Sequence, residues 1–102
     1  MNNGSIRIHV IGVGGGGGNA VHHIAQRCGA NGIEFLCINT DAQALGAIAT
    51  TRTLQIGEAL TQGRGTGARP EIGRQAAEQD YESIRAALSE ADLVFIAAGL
   101  GG

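Results

Sequence analysis

The chain reads as an α/β domain built on a buried parallel sheet, and three observations carry that reading. Apolar runs rich in β-branched residues occur at 6–13, 33–38 and 93–98, the last with no polar alternation at all, as strands covered on both faces require. Helix-like periodicity fills the intervals between them. The first run also feeds through five consecutive glycines, Gly14 to Gly18, straight into a helix-like segment. Strand, glycine loop and helix together form the first half of a βαβ unit.

Taken in order, residues 6–13 form the first strand. After the glycines, Val21, Ile24, Ala25 and Cys28 recur at helical spacing, with Asn19 as the expected N-cap and Gly29 just past the end. Ile33 to Ile38 is the second strand, closed by Asn39-Thr40-Asp41, and Asp41 is placed to cap a short helix over 42–48. A brief third strand spans 53–57. An irregular stretch then carries Gly63, Gly65 and Gly67 at alternate positions, which leaves room for a second close approach to a ligand. Pro70 suits the first turn of a helix running to about Leu88, with Ile72, Ala76, Ala77, Ile84 and Leu88 inward. Arg69, preceding proline, is expected to be extended. The fourth strand, Leu93 to Ala98, opens into Gly99-Leu100-Gly101-Gly102.

Twelve of the 18 glycines therefore fall in three loops. Two of those loops follow strands, and strand carboxyl ends are where doubly wound sheets bind ligands. Glycine lets main-chain N–H groups approach an anion, and a following helix N-terminus adds partial positive charge. A phosphate-bearing ligand is the natural occupant.

Composition narrows the alternatives. The 102 residues suit one domain, or part of a longer one, and the formal charge of −2 argues against nucleic acid as the main partner. All seven basic residues are arginine, so no P-loop lysine exists to reach β and γ phosphates. Cys28 and Cys37 fit no metal or redox spacing, which favours reduced, buried thiols and a cytoplasmic protein. No run approaches the roughly 18 apolar residues of a transmembrane helix, and Met1 to Ser5 lacks a signal pattern.

Several sharper readings compete at the glycine run. Gly12-x-Gly14-x-x-Gly17 formally fits a dinucleotide fingerprint, with Asp41 where a ribose-binding acid would stand. A NAD-dependent oxidoreductase leaves the other two glycine loops unexplained. A flexible linker is the bland reading, but linkers are not flanked on both sides by core-grade apolar segments. Arg64 and Arg69 flank the second loop, either as phosphate contacts or as solvated surface groups. His22 and His23 are adjacent on one helix, diverge, and make a poor metal pair. His9 reads as a core or edge histidine, and 78–82 as a solvated helix face.

Longer strings add a more specific signal. Val10 to Val21, Asn39-Thr40-Asp41-Ala42-Gln43-Ala44-Leu45, Leu54-Gln55-Ile56-Gly57, Pro70 to Arg74 and Ala91 to Gly102 closely resemble, in order, the N-terminal GTP-binding domain of the FtsZ family, bacterial cell-division relatives of tubulin. The resemblance covers nearly the whole of 1–102. It implies a Rossmann-like sheet of order 3-2-1-4, with GTP or GDP bound and magnesium held mainly through the phosphates. It also implies GTP hydrolysis coupled to head-to-tail filaments, association with other division proteins, and a cytoplasmic location at a mid-cell ring. In its terms, Gly15, Gly16, Gly17, Gly18 and Asn19 hold phosphate. Asp41 and Ala42, and Thr66, Gly67 and Ala68, approach the nucleotide from the sides, while Gly99, Gly101 and Gly102 begin a signature loop. The chain ends before that loop's Gly-Thr-Gly-Thr-Gly core, so the 102 residues alone are expected to be catalytically inactive. Arg69 stands where the family usually has asparagine, and Arg64 and Thr66 are likewise less usual there. A nucleotide-free module that modulates filament assembly is the reading from another functional class.

Overall fold

In the computed structural model, residues 6–27, 32–48, 51–67 and 69–99 are described. Ile8–Val13 (β1), Ile33–Asn39 (β2), Arg52–Gln55 (β3) and Leu93–Ala98 (β4) form one parallel sheet in the order β3-β2-β1-β4. The order implied by the resemblance is the one observed. Helices follow each strand but the last: Gly14–Arg27 (α1), Ala42–Gly46 (α2), Glu58–Thr61 (α3), Pro70–Gln79 (α4) and Tyr81–Leu88 (α5).

Residues paired across parallel strands share a face, so the register sorts the core into two layers. His9, Ile11, Leu36, Ile38, Val94 and Ile96 lie on one face, and Val10, Gly12, Phe35, Cys37, Phe95 and Ala97 on the other. On the first face Ile11, Leu36, Ile38 and Ile56 are buried together with Ala76 of α4, and Ala77, Ile84 and Leu88 of α4 and α5 pack alongside. On the second, Val21 of α1 and Leu45 of α2 close over Cys37, joined by Ile48. Val21 is fully buried, and removing such a side chain from water is worth about 1.5–3 kcal/mol.

Cys37 is a free thiol inside this second layer, and burial pushes its pKa up. Its Sγ contacts the Gly18 carbonyl at 3.6 Å. A thiol held protonated and shielded is a poor nucleophile. With Cys28 replaced by Ser, Cys37 is therefore expected to resist maleimide or DTNB at neutral pH until denaturant is added. Rapid labelling of the folded chain would contradict this burial.

Three elements differ from the sequence expectation. The helix expected from Pro70 to about Leu88 breaks at Asp80 (φ −104°, ψ 27°). Asp80 is not part of a solvated face: its carboxylate turns inward and accepts a 2.6 Å hydrogen bond from the Gly57 N–H. The stretch after β3 holds the short helix α3, entered through Gly57 in the left-handed region. And β4 is not covered on both faces, since Leu93, Phe95 and Ile96 are 45%, 55% and 68% exposed. Leu93 and Phe95 project from one face and Ile96 from the other of this edge strand, which among the described residues pairs with β1 alone. The expected Gly29 cap lies outside the described residues. Arg69 is extended, as a residue before proline should be.

Candidate functional site at the strand carboxyl ends

The sheet order reverses at β1, because β2 and β3 extend to one side and β4 to the other. That reversal is a topological switch point, and ligands of open α/β sheets bind in the crevice beyond it. Here the crevice is framed by the end of β1, the first turn of α1 and the residue after β4.

The five glycines do not form a loop ahead of the helix. They are its first turn and a half, and Asn19 is an exposed residue within α1 rather than its N-cap. The reason lies in Gly14, whose φ of +76° lets β1 turn directly into the helix. Beyond it the run divides by function. A Cβ on Gly17 would overlap the Ala97 carbonyl oxygen and stand 3.2 Å from the Ala98 Cα. A Cβ on Gly12 would overlap the Gly17 carbonyl. Gly18 is buried against Ile48 and Cys37. These three let α1 lie directly on the sheet. Gly15 and Gly16, by contrast, are exposed, and a Cβ on Gly15 would meet nothing within 4 Å. Gly16 faces Gly99, whose Cα lies 3.7 Å from where a Gly16 Cβ would be. The first and third glycine segments thus come together.

The second glycine segment is tied to the end of β2. Asp41 accepts hydrogen bonds from the N–H groups of Gln43 (2.9 Å) and Ala44 (3.2 Å), capping α2. Such a cap is worth about 1 kcal/mol. Its own N–H donates to Asn39 Oδ1, the Ala42 N–H donates to the Gly63 carbonyl at 3.0 Å, and Asp41 bridges Arg64. Gly63 and Gly65 have φ near +82° and +84° and sit against Ala42 and Asp41. Their glycine identity is explained by this latch between two segments of the chain. Gly67, with φ +63°, faces open space.

Between these parts lies a cavity of about 310 Å³, bounded by Val13 and Gly14, by Asn39 and Thr40, and by Thr66 and Arg69. Among the described residues Arg69 is its one charged lining residue, and its carboxylate neighbour Glu71 is 3.9 Å away. Among the expected site residues, Gly16 and Gly99 meet at the switch point, Gly15 is exposed beside them, and Thr66 lines the cavity. Gly17 and Gly18 pack, Asn19 and Ala42 are exposed, and the Asp41 carboxylate is engaged by α2. Ala68, Gly101 and Gly102 lie outside the described residues. The sequence reading treated Asn39 and Thr40 only as the end of a strand. Their position at the carboxyl end of a central strand, next to the reversal, was the signal that they line the crevice. Among the described residues, no group of three or more His, Cys, Asp or Glu is placed to hold a metal ion.

Comparison with known proteins agrees with this geometry. The family model described as Tubulin/FtsZ family, GTPase domain, matches residues 7–102. The chain belongs to the tubulin/FtsZ family. One relative, the cell division protein FtsZ of Buchnera aphidicola subsp. Baizongia pistaciae, is 55% identical over all 102 residues, which cover 26% of that protein. The chain thus spans about a quarter of the length of this curated relative. Among solved structures, an empty FtsZ dimer of M. jannaschii superposes with a TM-score of 0.90 at 40% identity, over 99% of this chain and 29% of that one. A GTPγS-bound protofilament of CetZ2 from Haloferax volcanii gives 0.79 at 29% identity, over 95% of this chain and 31% of that one. Tubulin/FtsZ membership accounts for the motifs in all three glycine segments, where the dinucleotide reading accounted for one.

Proposed function

We propose that the chain is the phosphate-binding N-terminal portion of a GTP-binding, GTP-hydrolysing cytoskeletal protein that polymerises into the bacterial division ring. One observation carries this reading: within a tubulin/FtsZ chain, the open Gly15–Gly16 turn of α1 faces Gly99 across the switch point. Side-chain-free backbone at a helix N-terminus suits the approach of phosphate oxygens. Gly15 and Gly16 N–H groups donate to the phosphates, and Asn19 borders them. Thr66 and Gly67 approach from the α4 side, Asp41 and Ala42 from the α2 side, and Gly99 from the end of β4, with Ala68, Gly101 and Gly102 assigned to the same phosphate site by the family resemblance alone. GTP supplies the phosphoanhydride bond that is cleaved. Magnesium would be held mainly through the phosphates, since no cluster of metal-ligating side chains is found among the described residues, and would supply charge neutralisation there. A cytoplasmic site of action at mid-cell, alongside other division proteins, follows from the same reading.

The 102 residues alone bind nucleotide weakly and do not turn it over. Ligand-observed NMR with GTP, ATP and NAD tests this. GTP and ATP are expected to broaden comparably and to be displaced by pyrophosphate, with NAD weaker and no phosphate released. Preferential NAD binding would overturn the assignment, and micromolar guanine-selective affinity would overturn the weak-binding statement.

Self-association is supported by the named dimer and protofilament among the structural neighbours. For the isolated chain a different contact is proposed. Apolar edge strands recruit partners, and β4 exposes Phe95 on one face and Ile96 on the other. Light scattering of the chain is expected to show dimers or larger species that Ile96→Lys shifts towards monomer. A monomer at high concentration without the substitution would refute this. The same edge gives substance to the second reading, a module that joins filaments without turnover, and cosedimentation with the full-length relative and GTP separates the two.

A further inference from the structure

At the opposite end of the sheet from the switch point, a second cavity of about 220 Å³ opens beneath the amino ends of β1, β2 and β3. Arg7, His9, Glu34, Arg52, Ser89 and Glu90 supply its polar lining, and Ala86 and Ala87 of α5 its apolar wall. His9 is 4% exposed, and its buried Nε2 has no hydrogen-bond partner among the described residues. Buried polar atoms are nearly always paired, so such an orphan calls for a partner that enters from outside. Two guanidinium groups stand in the same lining. Arg52 meets Glu34 Oε1 at 2.9 Å, and Arg7 meets Glu34 Oε2 at 3.3 Å and Glu90 Oε1 at 2.9 Å.

The charges in this cluster are unequally fixed. Glu34 is held by both arginines. Burial opposes its ionisation, but the hydrogen bond from Arg7, together with His9 and Arg52, outweighs that and keeps its carboxyl below the usual range. Glu90 has one partner among the described residues and a side chain 69% exposed, and ion pairs of that kind are weak. When Glu90 leaves Arg7, two arginines share one carboxylate in a cavity that His9 also lines, its Nε2 unpartnered among the described residues. We propose that this cavity binds a small oxyanion, with Glu90 as an intrinsic competitor that the anion displaces from Arg7. The ligand class is a compact carboxylate or phosphate. An anion there receives charge-assisted hydrogen bonds from Arg7 and Arg52 and gives His9 Nε2 its missing partner. This inference does not depend on nucleotide binding, since the two cavities share no lining residue.

The test uses the 102-residue chain labelled at histidine Cε1, which gives three signals, from His9, His22 and His23. His22→Gln and His23→Gln assign them. Inorganic phosphate and acetate are titrated in separate arms at constant ionic strength against chloride. The His9 signal is expected to move saturably with phosphate or acetate and not with chloride, the arms distinguishing the two oxyanions. Glu90→Gln is expected to tighten binding about two- to five-fold, as removal of a weak exposed competitor should, and Arg52→Gln to weaken it by at least as much. A His9 signal that stays still through the millimolar range in both arms would overturn the proposal. So would an equal response to chloride, or weaker binding by Glu90→Gln.

Discussion

Replacing Gly17 with Ala is expected to destabilise the chain by about 1–3 kcal/mol, the usual range for forcing an extra methyl into a close-packed contact. The added Cβ would overlap the Ala97 carbonyl, with the Ala97 carbonyl carbon at 3.0 Å and the Ala98 Cα at 3.2 Å. Every one of those atoms belongs to backbone, so no side chain can rotate out of the way. Relief requires α1 to lift from β4, which also opens the contact between Gly12 and Gly17. Gly15→Ala is the matched control. Its Cβ meets open space, and alanine in place of a helical glycine gains about 0.5–1 kcal/mol. Urea unfolding of the two variants should therefore move in opposite directions from the parent. The same Gly15 methyl stands where phosphate is proposed to dock, so this variant is expected to be more stable and to bind GTP less well. Equal stability of the two variants would mean that the glycines are interchangeable spacers.

Gly57→Ala is expected to be costlier still, at about 2–5 kcal/mol, because two penalties coincide. Gly57 has φ +68°, and a side chain there is strained by about 1–2 kcal/mol. Its Cβ would also overlap that of Ala76, a fully buried residue of α4, which adds an overpacking cost. The 2.6 Å bond from the Gly57 N–H to Asp80 locks this corner and sets the break between α4 and α5. Loss of the corner should loosen both helices together. Amide exchange in α4 and α5 is the sensitive readout: acceleration confined to residues 57–61 would show that the corner is local and that this account of the break is wrong.

The strands were legible because burial on both faces leaves long apolar runs, and all four were found within a residue or two of their ends. Their order was not legible from composition or spacing. It came with the resemblance, since local sequence carries no information on which side of β1 the later strand adds. The break at Asp80 was hidden for a similar reason. Residues 70–88 have the periodicity of one helix, and what divides them is a carboxylate reaching a backbone N–H 23 residues away. Within the site, the glycine run was visible as backbone-rich and adjacent to a helix. Which glycines face the crevice was not, because identical letters say nothing about whether Ala97 or solvent lies opposite. Gly63 and Gly65 show the converse error: they read as ligand-facing, yet their partners are Asp41 and Ala42.

The division of labour within Gly14 to Gly18 also makes the number of glycines a structural quantity. Each position has its own surroundings, in the sequence left-handed turn, open, open, sheet contact, core contact. Deleting any one of the five would slide Asn19 into the place of Gly18, where a Cβ would stand 3.3 Å from Ile48 and 3.9 Å from Cys37. An amide would then be pressed into the apolar layer under α1. A tract of one repeated residue looks like filler and tolerates no loss, so its count, as much as its composition, is part of the message.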